Sequence, residues 1–125
     1  MKKILLFLIF FTTSLCADDK HQKQIDELFK QLKSAVDFED SEEIESKIWD
    51  LWITHPTKDS LTNLLADGYS SMSQNKLEDA YNIFSEVIAI DPNWAEAWNK
   101  RATVLYLMGK YEMSQADIDK VLDIE

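Results

Sequence analysis

The sequence predicts an all-α protein of about six helices arranged as antiparallel pairs. A pattern of small and large apolar residues between positions 61 and 124 occurs twice at a spacing of 34 residues, which is typical of repeated helical hairpins. Only two Gly and two Pro occur among 125 residues, so tight turns are few and helix-forming residues dominate. Upstream of the repeat, apolar residues recur at steps of three and four, which places them on one face of a helix.

The two copies of the pattern match in side-chain size. Small residues coincide with small ones, and large apolar residues coincide with large apolar ones. Because small residues let two helices approach closely while large ones fill the space beside them, each copy describes two helices that meet at fixed points. Counted forward by 34, the matched pairs are Leu64 and Trp98, Gly68 and Ala102, Asn75 and Gly109, Ala80 and Ser114, Phe84 and Ile118, and Val87 and Val121.

This pattern resembles the tetratricopeptide repeat, a helix-turn-helix unit of 34 residues. The family commonly has Trp at position 4 of the unit, Gly at 8, Ala at 20 and Pro at 32. Gly68, Ala80 and Pro92 occupy three of these positions in one unit, and Trp98 occupies position 4 of the next. The stretch from 98 to 120 is also similar to secreted bacterial members of the family. The resemblance implies a right-handed superhelical stack of helix pairs that acts as a binding scaffold.

Residues 1–17 have the order of a secretory signal peptide. Two lysines precede the apolar run 4–11, and small residues follow that run. The run is too short to cross a bilayer as a helix, which takes about 20 residues. We therefore expect cleavage after Cys16 or Ala17 and a secreted or periplasmic protein. The alternatives are an uncleaved segment that anchors the chain to a membrane, and a lipoprotein acylated at Cys16.

The polar residues 18–24 have no helical period and are expected to form a flexible leader. Apolar residues then recur at three- and four-residue steps from about 22 to 35, which predicts the first helix. The second helix is predicted from about 40 to 54. Asp40 and Glu43 would form a capping box at its start, and the proline that follows it ends it.

The first helix pair, residues 25–58, is interpreted as a degenerate repeat. With Pro56 at family position 32, Leu32 and Ile44 stand where small residues are usual. Large side chains at a helix contact hold the helices apart. We therefore expect this pair to be splayed more widely than the two that follow.

Residues 61–94 and 95–125 form the two clear repeats. Asn75 in the first and Gly109 in the second occupy the turn between the paired helices. Both residue types tolerate a left-handed backbone, so each is expected to end the first helix of its pair. The last helix is expected over about 110–124.

No further helix follows to cover this last pair, so apolar residues of its second helix would face water. Two explanations stay open. Either the sequence is a truncated form of a longer repeat protein, or the end mediates self-association. We favour truncation, because covering such an end requires a partner that the sequence does not name.

Charge and composition argue against several functions. The chain has 23 acidic and 13 basic residues, a formal net charge of −10, which repels nucleic acid and anionic lipid. His21 lies in the predicted leader and His55 in a linker, and no glycine-rich phosphate loop is present. We predict no enzymatic activity, no catalytic residue, no metal site and no cofactor. A small hydrolase accessory that uses His55 is the weaker alternative.

The resemblance also implies where a partner binds. Family members line a concave groove with positions 2, 5, 9 and 12 of each first helix, so we expect a peptide or protein of the cell envelope to bind there. Lys100 and Arg101 form an adjacent candidate basic contact, although only half of the family's carboxylate-binding pattern is present. Tyr69 and Tyr106 are expected to be neighbouring aromatic contacts. The predicted groove residues are Thr62, Leu65, Tyr69, Met72, Glu96, Asn99, Thr103 and Tyr106.

Overall fold

The computed structural model describes residues 19–124, which contain six helices and no strand. The all-α prediction is therefore confirmed for this part of the chain. The predicted signal peptide, residues 1–17, lies outside the described residues. Two compact units divide after Lys58, and each is described by itself. The helices are α1 (19–34) and α2 (Phe38–Trp52) in the first unit, and α3 (Asp59–Ser73), α4 (Leu77–Ile90), α5 (Ala95–Leu107) and α6 (Tyr111–Ile124) in the second.

Helix α1 includes residues that the sequence assigned to a flexible leader. Residues 19–24 are helical, so that assignment is wrong for them. The side-chain amide of Gln22 donates to the carboxylate of Asp26 over 3.0 Å. Pairs one helical turn apart stabilise an exposed helix. The residues before Gln22 are polar and mostly exposed, so the helix extends beyond the apolar stripe from which it was predicted.

Helix α2 begins at Phe38 because Asp37 caps it. The carboxylate of Asp37 accepts a hydrogen bond from the backbone N–H of Asp40 over 2.9 Å, which satisfies one of the unpaired donors of the first turn. The predicted cap at Asp40 is therefore wrong by three residues. Within this unit, the rings of Phe29 and Trp52 lie 5.9 Å apart and join α1 to α2.

In the second unit each helix packs against the next, so α4 contacts α3 and α5, and α5 also contacts α6. The core consists of the apolar faces between these helices. None of the helices in the described residues is long and apolar enough to cross a membrane. The most deeply buried core residues are Leu61, Leu65, Ala80, Phe84, Val87, Ala97, Ala102, Val104 and Leu105.

The 34-residue repeat reappears in the backbone of the two turns. Asn75 and Gly109 both have positive φ, 59° and 77°. In each copy the next residue donates its N–H to the carbonyl five residues earlier over 2.9 Å. This is the Schellman motif, which satisfies the last carbonyls of a helix and turns the chain back. The predicted left-handed turn residues are confirmed.

Small residues lie where paired helices touch. Gly68 of α3 faces the buried ring of Phe84 on α4, and a Cβ at Gly68 would lie 2.8 and 2.9 Å from Cζ and Cδ1 and closer still to Cε1. At the matched place in the next pair, the hydroxyl of Ser114 donates to the carbonyl of Ala102 over 2.7 Å. The side chain at these positions therefore sets how closely the helices approach.

Candidate functional site

Helices α3 and α5, the first helices of the two repeats, are joined by a polar contact. The hydroxyl of Tyr69 donates to Oε1 of Glu96 over 3.1 Å. The ammonium of Lys100 lies 3.3 Å from the same oxygen and 4.8 Å from the centre of the Tyr69 ring. We call these three residues the ammonium cluster. The structure thus brings together two predicted groove residues and one of the two predicted basic contacts.

The ammonium cluster is largely removed from water. Glu96 is 8% exposed, and the side chain of Lys100 is 13% exposed. Burial raises the pKa of Tyr69. The negative charge of Glu96 and the hydrogen bond to Glu96 raise this pKa further, by smaller amounts. The hydroxyl therefore stays protonated and continues to donate to the carboxylate throughout the physiological pH range.

The other predicted groove residues differ in their access to solvent. Thr62, Met72 and Asn99 are partly exposed, and Thr103 is exposed. Leu65 is 1% exposed, so the prediction that it lines a groove is wrong. It shares one face of α3 with Leu61 and Gly68, at spacings of four and three residues, and that face packs in the core.

Tyr69 and Tyr106 have different surroundings. The Tyr69 ring packs edge-on against Phe84, with ring centres 6.2 Å apart. Tyr106 is 62% exposed, and its ring lies 5.1 Å from that of Tyr111 across the turn between α5 and α6. Tyr69 thus supports the fold as well as the ammonium cluster, whereas Tyr106 offers an open aromatic surface.

Arg101, the second predicted basic contact, is held by side chains of the neighbouring helices. Its Nε and one terminal nitrogen donate to the two carboxylate oxygens of Asp117 over 2.7 and 2.8 Å, and its other terminal nitrogen donates to Ser85 over 3.2 Å. The hydrogen bonds to Asp117 raise the pKa of Arg101. Because these groups lie on α4, α5 and α6, Arg101 ties three helices together.

His55 is buried next to the end of the first unit. Its Nδ1 accepts hydrogen bonds from the backbone N–H groups of Thr57 and Lys58 over 3.2 and 3.0 Å. The ring therefore holds the chain after α2 in place. Within residues 19–124, no group of three or more His, Cys, Asp or Glu side chains is placed to hold a metal ion.

The first unit contains a cleft that the sequence did not predict. It lies between α1 and α2 and has a volume of about 550 Å³. Leucines and the stems of charged residues form its walls. The lining residues are Lys23, Gln24, Glu27, Leu28, Lys47, Asp50 and Leu51.

One relative supports the family assignment. The chain is 34% identical over 110 residues to a TPR repeat-containing protein of Rhizobium etli, and the aligned region covers 87% of this chain and 53% of the relative. The chain therefore spans about half the length of that relative. No protein-family model and no solved structure matches the chain. The two helical hairpins are related by 34 residues and have the same turn, so the chain is similar to the tetratricopeptide repeat family in its backbone as well as in its sequence.

Proposed function

We propose that the protein is a non-enzymatic scaffold that binds a peptide or protein segment on the surface formed by α3 and α5. The observation that carries this proposal is a row of three residues on α5, of which Asn99 is partly exposed and Thr103 and Tyr106 are exposed. Spacings of four and three residues put these side chains on one helical face. Thr62 and Met72 of α3 are partly exposed as well, and we assign them to the same surface.

The chemistry of this row suits a peptide. Asn99 and Thr103 offer hydrogen-bonding groups to a peptide backbone. Tyr106 supplies a large ring whose position is restrained by Tyr111. A ring of this kind contributes contact area at little cost in side-chain entropy, and such residues commonly dominate protein interfaces.

The double variant Thr103→Ala, Tyr106→Ala tests the surface. Both residues are exposed, so we expect the helical content and melting temperature to be nearly unchanged. Partner capture from envelope extract, and the affinity for the captured partner, should weaken by more than about 1 kcal/mol, because central aromatic contacts commonly contribute this much. Pull-down with mass spectrometry, followed by titration calorimetry, measures both quantities.

The matched control is Asn82→Ala, Glu86→Ala, which changes two exposed residues of α4 and should leave capture intact. Retained capture by the Thr103→Ala, Tyr106→Ala variant would place the binding surface elsewhere. The second candidate is the exposed apolar surface of α6, where Met113 and Leu122 are 47% and 66% exposed. That surface also suits self-association.

We further propose that the protein is exported to the cell envelope or beyond. The two lysines and the apolar run 4–11 support this. Intact-mass spectrometry of the protein from its native cells should show an N-terminus at Ala17 or Asp18 without lipid. An acylated Cys16 would instead make the protein a lipoprotein, and an intact Met1 would contradict cleavage.

A further inference from the structure

The ammonium cluster contains the contacts that recognise a primary ammonium group. The nitrogen of Lys100 is 3.3 Å from the Glu96 carboxylate and 4.8 Å from the Tyr69 ring centre. A carboxylate beside an aromatic face attracts a cation both by charge and through the ring quadrupole. Tyr69 and Glu96 come from different helices and are held together by their own hydrogen bond. The pair is therefore preformed, and Lys100 occupies it from within the chain.

Lys100 is suited to exchange with an external group. It lies one helical turn from Glu96 on the same helix, and its flexible four-carbon stem lets the ammonium turn to solvent without movement of the backbone. Another ammonium that takes its place would make the same contacts. Replacing the ammonium of Lys100 with an external one therefore costs little in electrostatic energy. The stem of Lys100 must move aside before the external group can reach Tyr69 and Glu96.

The charge of the second unit favours a basic partner. Residues 59–125 include twelve acidic and five basic residues. Lys100 and Arg101, two of the five, are bound to Glu96 and Asp117. Such a surface attracts basic segments and repels acidic ones. A carboxylate ligand at this site would also meet the negative charge of Glu96.

We propose that α3 and α5 bind a basic segment of a partner protein, and that a lysine side chain of that segment replaces Lys100 between Tyr69 and Glu96. This inference rests on the proposed function and specifies the chemistry of the partner. It makes Lys100 an internal competitor that sets how tightly lysine-containing segments bind.

Variants of Lys100 test the inference with a defined probe. The probe is a fluorescein-labelled alanine-rich peptide with one central lysine, acetylated and amidated so that its only ammonium is in the side chain. Removing the competitor with Lys100→Ala should raise the affinity for this peptide about tenfold, because the ammonium of the peptide no longer has to displace an internal ion pair and a cation–π contact. Fluorescence anisotropy measures the change.

Two controls separate competition from a change in net charge. Lys100→Met also removes the ammonium, but its side chain still covers the ring, so it should show little of the gain. Lys110→Ala removes the same charge at an exposed position and should alter the affinity less than about twofold. Equal gains in all three variants would overturn the inference, since they would show a general charge effect. Addition of Glu96→Gln to Lys100→Ala should abolish the gain.

A second measurement does not depend on the peptide. n-Butylammonium should raise the melting temperature of the Lys100→Ala variant by occupying the vacated site, whereas n-butanol should not. No effect of n-butylammonium, or tighter binding of a glutamate version of the peptide, would overturn the lysine site. The proposed function would still stand if Thr103→Ala, Tyr106→Ala weakened partner capture, so the two ideas can fail separately.

Discussion

Replacing Gly68 with alanine is expected to lower the free energy of unfolding by about 1–3 kcal/mol, the usual cost of overpacking a core. In an exposed helix the same change stabilises, by about 1 kcal/mol, because alanine is the better helix former. At Gly68 the change should destabilise instead, because the new methyl group would lie within 3 Å of the Phe84 ring. Phe84 is fully buried, so the ring cannot move into solvent and would have to displace other core side chains.

Chemical denaturation followed by far-UV circular dichroism measures this effect. Ala66→Leu adds more volume to the exposed side of the same helix and should change stability by less than about 0.5 kcal/mol. The double variant Gly68→Ala, Phe84→Leu should recover part of the loss, because the smaller side chain makes room for the methyl group. Stabilisation by Gly68→Ala alone would show that α3 and α4 do not meet as closely as described.

The parts of the fold that the sequence predicted correctly are those fixed by local rules or by the repeat. Asn75 and Gly109 are 34 residues apart, and both have the positive φ that their residue types tolerate. Gly68 and Ala102 are small, and another helix lies against each of them. In each case the backbone or the packing admits few residue types, so the residue type reveals the structure.

The errors fall where the deciding contact is remote in sequence or lies outside the apolar pattern. Leu65 was assigned to a groove by its family position, yet it is buried on the face of α3 that includes Gly68, and Gly68 faces Phe84 of α4. The first turn of α1 consists of polar residues, which apolar periodicity does not detect. The ammonium cluster spans 27 residues between Tyr69 and Glu96, and no local spacing predicts such a pair.

The contact between Arg101 and Asp117 was missed for a related reason. The corresponding positions in the preceding repeat are Asp67 and Ile83, so the pair occurs in one repeat only and the alignment of the two copies hides it. Two adjacent basic residues on a helix resemble a solvated basic patch. The structure instead directs Lys100 towards α3 and Arg101 towards α4 and α6.

Replacing Arg101 with methionine is expected to cost about 3 kcal/mol of unfolding free energy, because it leaves the charge of Asp117 buried without a cation. The Asp117 side chain is only 6% exposed. Methionine keeps most of the apolar stem of Arg101, but it loses the guanidinium, whose central carbon lies 5.0 Å from the centre of the Trp98 ring. The loss therefore reports the charge and its hydrogen bonds rather than a cavity. Denaturation curves of the wild-type protein and the variant give the difference.

The burial of an ion pair, rather than the distance between its atoms, should decide how much stability is lost when the cation is removed. A second ion pair in the chain, of similar length but exposed, tests this expectation. Lys47 and Glu43 are 2.6 Å apart, much like the 2.7 Å between Arg101 and Asp117, but their side chains are 55% and 71% exposed. Lys47→Met should therefore cost less than about 0.5 kcal/mol.

The variant Arg101→Met, Asp117→Leu should recover most of the stability lost in Arg101→Met, because an apolar pair leaves no buried charge. Equal losses for Arg101→Met and Lys47→Met would mean that water reaches Asp117, and that the contact among α4, α5 and α6 is looser than these distances imply.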